Sequence, residues 1–205
     1  MKLHWSSRSP FVRKVMVVAH ETGLAGRIDC VRTVVAPTKP NPEVMARNPL
    51  NKLPTLVLDD GQVLFDSRVI AEYLDGLHAG PKLFPPAGPA RIEALRRQAL
   101  ADGILDFLLL GLSERAKPEP QQSPELKAAL GVKFNAAFDH LEAEAERLDA
   151  GPFDIGRIAV ACVLGYADFR YGTERWRDGR PRLAAWSQSL ADRPSLLATQ
   201  HVDAY

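Results

Sequence analysis

Residues 48–70 read NPLNKLPTLVLDDGQVLFDSRVI. Two short apolar runs, Thr55–Leu58 and Gln62–Phe65, flank Asp59-Asp60-Gly61. That turn sequence favours a tight antiparallel hairpin, because glycine tolerates the positive φ such turns need. Pro54 opens the first run, and a residue without an N–H is tolerated in a strand only at its end or edge. After the second run comes Asp66-Ser67, then Val69, Ile70, Tyr73, Leu74 and Leu77. Their spacing predicts a helix over Ser67–Leu77 with one apolar side, and Ser67 suits its cap.

Upstream, Lys2–Ser6 reads as a strand and Pro10–Thr22 as a helix. Val12, Val15, Met16 and Ala19 share one of its faces. Ser9 suits its N-cap, Pro10 its first turn and Gly23 its C-terminal cap. Ile28–Val35 is apolar and β-branched, hence a strand. Asn41–Asn48 reads as a short helix. The order over residues 1–78 is β-α-β-α-β-β-α. A helix joins the first two strands, so they run parallel. This is the layout of a thioredoxin-like domain.

Downstream, Pro81, Pro85, Pro86 and Pro89 crowd together with Gly80 and Gly88. Proline neither continues a helix nor donates to a sheet, so residues 79–89 read as a linker. Residues 90–205 then read as an all-helical domain. Its expected helices are Ala90–Ala116, Pro124–Leu148, Ile155–Phe169 and Pro181–Ala191. Phe134, Phe138, Leu141, Ala145 and Leu148 form one stripe. Leu183, Trp186 and Leu190 form another. Ile155–Phe169 is apolar almost all round and should lie at the centre.

Composition narrows the function. The chain has 205 residues, with 26 Lys plus Arg against 25 Asp plus Glu, a formal net charge of +1. Residues 1–78 hold 10 basic and 8 acidic side chains, so the average hides no basic half. Such a chain has no broad field with which to grip nucleic acid or an anionic membrane. Its two cysteines, Cys30 and Cys162, form no CxxC pair and cannot complete a cysteine-based zinc site. They exclude a disulfide framework, though not a single bridge, and read most simply as buried apolar side chains. The five histidines have no metal-ligand spacing, so no metal is expected. The first residues lack the apolar core of a secretory signal. The longest apolar run, Ile158–Ala167, has ten residues, well short of the ~20 a membrane span needs. A soluble, cytoplasmic protein is expected.

Three segments can carry chemistry. Ser6-Ser7-Arg8-Ser9-Pro10-Phe11 places three hydroxyls at a helix N-terminus, where free backbone donors and the positive dipole end favour an anion, including a thiolate. A plain cap at Ser9 accounts for Ser-Pro equally well. A cis Leu53–Pro54 bond would expose the backbone of Leu53 to a ligand, although most X–Pro bonds are trans. Ser67 marks a second helix N-terminus, and there too capping alone is a sufficient reading.

In this order the segments resemble the glutathione S-transferase family. Ser9-Pro10-Phe11 resembles the active-site turn of serine-type members, tau-like and related bacterial forms in particular. Residues 48–56 resemble the family's cis-proline loop, and residues 66–70 resemble its glutamyl-binding motif. Residues 181–186 and 193–195 resemble its C-terminal end. The likeness spans essentially the whole chain.

The resemblance implies a transferase that joins the glutathione thiolate to small electrophiles, as a homodimer. Ser9 would donate a hydrogen bond to the sulfur. Zeta-like members place the working serine earlier in the turn, which keeps Ser7 and Ser6 as alternatives. Leu53 would pair its backbone with the cysteinyl part, beside cis Pro54. Asp66 and Ser67 would hold the γ-glutamyl end, Lys39 and Lys52 the glycyl carboxylate. Phe11 would line the glutathione site. By location, Trp5, Arg8, Phe11, Asp102, Asp106 and Tyr166 would border the electrophile, although Trp5 and Phe11 also suit core packing and Arg8 a solvated surface. The absence of cysteine at the turn argues against members that reduce mixed disulfides. A glutathione-dependent isomerase or dehalogenase, and a non-catalytic binding module on the same fold, are the competing readings. At Asp154-Ile155-Gly156-Arg157, the usual Ser/Thr-x-x-Asp capping box lacks its second member. Asp154 can cap, but Arg157 cannot return the bond, so a slightly weaker helix start is expected.

Overall fold

The computed structural model describes residues 1–36, 38–172 and 175–203. Pro37 in the loop that carries Lys39, and positions 173, 174, 204 and 205 of the expected helical domain, lie outside them. By compactness the chain divides into residues 1–91 together with the chain from Arg193, and residues 92–192.

The first unit is built on strands β1 (Lys2–Trp5), β2 (Asp29–Arg32), β3 (Thr55–Val57) and β4 (Val63–Leu64), in the spatial order β2-β1-β3-β4. β1 and β2 are parallel, while β1/β3 and β3/β4 are antiparallel. The crossover between the parallel pair is helix α1 (Pro10–Glu21). A short α2 (Pro42–Met45) precedes β3, and α3 (Ser67–Gly76) follows β4. The strand expected over Ile28–Val35 shortens to four residues, because β2 is an edge strand with only β1 to pair with.

Helix α1 is buried on more than the expected stripe. Val12, Val15 and Ala19 are buried and Met16 is half-buried, but Lys14, Val17 and Val18 are buried too. The reason is tertiary: α3 covers α1 from one direction and α9 (Pro194–Leu197) from another. On α3, Ile70 and Leu74 are buried as expected, whereas Val69, and Leu77 at the C-cap just beyond it, are exposed. Ser67, Ala71 and Asp75 complete its inner face. The Pro-rich stretch is tied down by Asp75, whose carboxylate accepts from the amides of Leu83 and Phe84 at 2.8 and 3.1 Å.

The chain from Arg193 packs with the first unit, whereas the sequence reading ran the helical domain to residue 205. Arg193 forms a two-pronged ion pair with Glu21 on α1, at 2.7 and 2.6 Å. Ser195 donates to the same carboxylate.

The second unit contains most of α4 (Gly88–Arg115), then α5 (Pro124–Ala143), α6 (Ala145–Asp149), α7 (Ile155–Tyr171) and α8 (Pro181–Ser189). Helix α7 is buried along most of its length, as its composition implies. The single helix expected over Pro124–Leu148 breaks at Glu144, which adopts φ −94° and ψ −1°. The apolar stripe continues through Leu141, Ala145 and Leu148, all buried, so periodicity gives no sign of the break. The Glu144 carboxylate is recruited by Arg96 of α4 at 2.5 Å, with His140 at 3.2 Å. Arg96 also pairs with Glu93; its hydrogen bonds, with Arg97 adding charge, hold the Glu93 carboxyl down at about 2 against the cost of burial.

The start of α7 makes more hydrogen bonds than the broken capping box implies. Asp154 caps it, Oδ1 accepting from the Arg157 amide at 3.0 Å. Arg157 returns its bond to the same carboxylate rather than to the cap backbone, Nη1 to Oδ2 at 2.7 Å. Its Nε and Nη2 donate to the carbonyls of Leu148 and Arg147 at 2.7 and 2.6 Å. One guanidinium thus joins the cap of α7 to the unpaired carbonyls of α6.

Candidate functional site

Register gathers the three segments. His4 pairs with Thr55 and Leu56 pairs with Leu64. Continuing each ladder by one residue sets Pro54 opposite Trp5 and Phe65 opposite Thr55. The β1–α1 turn, the 48–54 loop and the β4–α3 turn therefore open at one end of the sheet. β2 ends there too, since the Thr33 amide donates to the Trp5 carbonyl at 2.9 Å.

At the first turn, the Ser9 amide donates to the Ser6 carbonyl at 3.2 Å. Ser9 is the N-cap of α1, its Oγ accepting from the Val12 amide at 3.3 Å, with Pro10 next. Ser6 Oγ accepts from the Arg8 amide at 3.3 Å. Ser7 Oγ instead donates to the Val202 carbonyl at 2.8 Å. The hydroxyl proton of Ser7 is committed, while Ser6 and Ser9 act as acceptors and keep theirs for another partner. Only Ser9 of these two also belongs to the helix terminus.

In the second segment the Leu53–Pro54 peptide is cis. Two residues that the sequence reading did not single out hold this loop. Asn48, which is buried, donates through Nδ2 to Thr55 Oγ1 at 2.9 Å and to the Lys52 carbonyl at 3.3 Å. Thr55 Oγ1 donates to the same carbonyl at 2.8 Å. Asn51 takes φ 53°, a left-handed conformation that asparagine accepts more readily than most residues. Leu53 lies just beyond the β1–β3 ladder. The Asn-Pro-Leu-Asn pattern was the available signal, but the partners of Asn48 lie four and seven residues away across a fold of the loop.

At the third segment the cap is Asp66, not Ser67. Asp66 Oδ1 accepts from the Arg68 amide at 2.9 Å, and the Phe65–Asp66 peptide is cis. Ser67 is the first helical residue and is buried, while Asp66 is exposed. A carboxylate oxygen and the first amides of α3 thus face the same end of the sheet as Ser9.

The remaining predicted residues differ in exposure. Lys39 and Lys52 are exposed. Phe11 is half-buried, with the Lys14 ammonium 5.7 Å from its ring centre. Trp5 is half-buried and lines a cleft of about 160 Å³ with Ser6, Ser7, Ser9, Met16 and Cys30. Arg8 is held by Asp203, Nε to Oδ1 at 3.0 Å, rather than simply solvated. Asp102 and Tyr166 are buried in the second unit and Asp106 is exposed there. Burial pushes the Tyr166 hydroxyl up from its ordinary range. Cys30 is exposed, not buried, because β2 is an edge strand; Cys162 is buried as expected. Desolvation and then the charge of Asp29 push the Cys30 thiol up, so it is no activated thiolate. Among the described residues, no three His, Cys, Asp or Glu side chains gather as a metal site, and no helix is long and apolar enough to cross a membrane.

Residues 8–77 match the family model of the glutathione S-transferase N-terminal domain, and residues 124–189 that of the C-terminal domain. The chain belongs to the glutathione S-transferase family. The GST-like protein YibF of Escherichia coli is 33% identical over 202 residues, 98% of each chain. Glutathione S-transferase L1 of Arabidopsis thaliana is 25% identical, over 92% of this chain and 77% of its own. A family member from Pseudomonas fluorescens, solved with bound glutathione, superposes with a TM-score of 0.95 at 43% identity, covering 98% of both chains. One from Methylobacillus flagellatus, also with glutathione bound, gives 0.87 at 35%, covering 98% of this chain and 99% of its own. The architecture is therefore the family's: a mixed four-stranded sheet with helices, then a helical domain.

Proposed function

We propose that this protein is a glutathione transferase of the serine type, with Ser9 as the hydroxyl that meets the glutathione sulfur. The carrying observation is the hydrogen bonding of the turn. Ser9 Oγ receives the Val12 amide, which leaves its proton to donate, whereas Ser7 spends its proton on Val202. Leu53, beside cis Pro54, offers backbone to the cysteinyl part. Asp66 and the N-terminus of α3 suit the ammonium and carboxylate of the γ-glutamyl end. Lys52 and Lys39, both exposed, suit the glycyl carboxylate.

The chemistry follows from charge. A free thiol with pKa ~8.5 is only a few per cent thiolate at neutral pH. A hydroxyl donor and a helix N-terminus both favour the anion. Lowering the pKa by one unit corresponds to ~1.4 kcal/mol and nearly tenfold more thiolate. The thiolate attacks an electrophilic carbon, whose leaving group departs with the bonding pair, and the thiol proton passes to solvent. Held side by side, the reactants also gain from proximity. Conjugation is favoured over isomerisation because a second structure of the Pseudomonas relative, 42% identical, holds S-(propanoic acid)-glutathione, a thioether of the kind conjugation forms.

The test is calorimetric titration of glutathione and turnover of an aryl halide by wild type and Ser9→Ala. We expect binding below millimolar concentration. The variant should lose on the order of tenfold or more in kcat, with only a modest change in affinity. No binding at millimolar glutathione would remove the enzyme reading, and unchanged turnover in Ser9→Ala would move the role to Ser6.

A further inference from the structure

Within the turn that carries Ser9, the Ser9 amide donates to the Ser6 carbonyl and the Arg8 amide to Ser6 Oγ. Further bonds come from residues 201–203. Ser7 Oγ donates to the Val202 carbonyl at 2.8 Å, and His201 Nδ1 donates to the Ser7 carbonyl at 3.0 Å. Arg8 Nη2 donates to the Asp203 carbonyl at 2.9 Å, while its Nε pairs with Asp203 Oδ1 at 3.0 Å. Three consecutive residues near the C-terminus thus engage two consecutive residues of the turn.

The path leading there is ordered as well. Arg193 and Ser195 bind Glu21 in the last turn of α1. About two helical turns nearer the turn, Arg13 Nη2 donates to the Leu196 carbonyl at 3.3 Å. Ala198, Thr199 and Gln200 then line the cleft that Ser6, Ser7 and Ser9 share. From Arg193 to Asp203 the chain runs back along α1, from its C-terminus to its N-terminal cap.

We propose that residues 201–203 are a positioning strap for the Ser9 turn. They fix Ser7 and Arg8, draw the Ser7 proton away from the ligand side, and leave Ser9 as the donor aimed from the helix terminus. The side chains involved touch no reacting atom; His201, Ser7 and Arg8 are positioning residues. The kinetic consequence rests on the transferase reading above, but the restraint itself does not.

The experiment compares the full chain with a chain ending after Gln200, and with Ser7→Ala and Arg8→Met in the full-length protein. Amide hydrogen exchange at Arg8, Ser9 and Phe11 is read alongside Leu56 and Ile70. Calorimetry with glutathione, and kcat with its pH profile, follow. We expect exchange in the turn of the shortened chain to rise on the order of tenfold or more, with Leu56 and Ile70 unchanged. We expect kcat to fall on the order of tenfold while glutathione affinity moves little. The apparent pKa of the bound thiol should rise toward that of free glutathione. The two point variants should move each quantity the same way by smaller amounts.

Unchanged exchange in the turn overturns the strap. So does a rise shared equally by Leu56 and Ile70, which would mean general loosening. A local rise with unaltered kcat and pH profile overturns the positioning role. A local rise in a protein whose full-length form binds no glutathione supports the restraint and refutes the transferase reading, so the two failures are told apart.

Discussion

Replacing Asp154 tests how a two-residue sequence departure became a strong joint. Both partners are almost fully buried, the Asp154 and Arg157 side chains being 8% and 7% exposed. In Asp154→Asn the cap survives, because asparagine accepts the Arg157 amide as well as aspartate does. The buried guanidinium loses its only anionic partner in this joint, keeping the carbonyls of Leu148 and Arg147. Stranding a buried charge costs ~3–5 kcal/mol, and the two remaining acceptors place this case near ~3 kcal/mol. Asp154→Ala also removes the cap, adding about 1 kcal/mol. At about 2–4 °C per kcal/mol for a chain of this size, the midpoints should fall by roughly 6–12 °C and 8–16 °C. Thermal unfolding followed by circular dichroism, with urea titration for the free energies, reads both. If Asp154→Asn costs less than about 1 kcal/mol, the ion pair contributes nothing beyond the cap and the reasoning fails.

Burial alone would raise the Glu21 carboxyl, but hydrogen bonds from Arg193 and Ser195, with Arg193's charge, outweigh it and hold it below its ordinary value. A depressed carboxylate stabilises the fold above its unfolded pKa, and that contribution is lost as pH falls through the folded value. The Tm advantage of wild type over Glu21→Gln should therefore be full at neutral pH and shrink below about pH 4.5, as a pH series of melts would read. Gly156 lies where a Cβ would stand 2.7 Å from the Ala94 carbonyl oxygen and 2.8 Å from Arg97 Cβ. Gly156→Ala should cost ~1–3 kcal/mol by pressing α7 away from α4. Gly131, within α5, has open space around it, so Gly131→Ala should stabilise by up to ~1 kcal/mol in urea titration.

Most of the fold was legible because its signals are local. Asp59-Asp60-Gly61 specifies a hairpin wherever it stands between apolar runs, and Ser9-Pro10 specifies a helix start. The parallel β1/β2 pair follows from the intervening helix. The readings that failed depended on what lay opposite. Val69 sits on a helix with the right period and Leu77 at its C-cap, yet only the placement of α3 decides which side is covered. Glu144 ends a helix whose apolar stripe runs on unbroken, and its carboxylate is held by Arg96 of another helix. Cys30 looked like a core residue because edge and central strands share one composition.

The candidate site divides the same way. Residue types and their order along the chain, the three hydroxyls, Leu53-Pro54 and Asp66-Ser67, were present in the sequence and pointed to a tripeptide thiol. Which hydroxyl keeps its proton was not. Ser-Pro-Phe favoured Ser9, with Ser7 and Ser6 as alternatives that residue type alone could not remove. Ser7 was set apart only when the Val202 carbonyl came to accept its proton, and register brought the three turns to one end of the sheet. Local propensity operates over a few bonds of backbone, so sequence alone determines turns, caps and periodicity. A hydrogen bond spanning 195 residues has no local signature, and only the tertiary structure decides it.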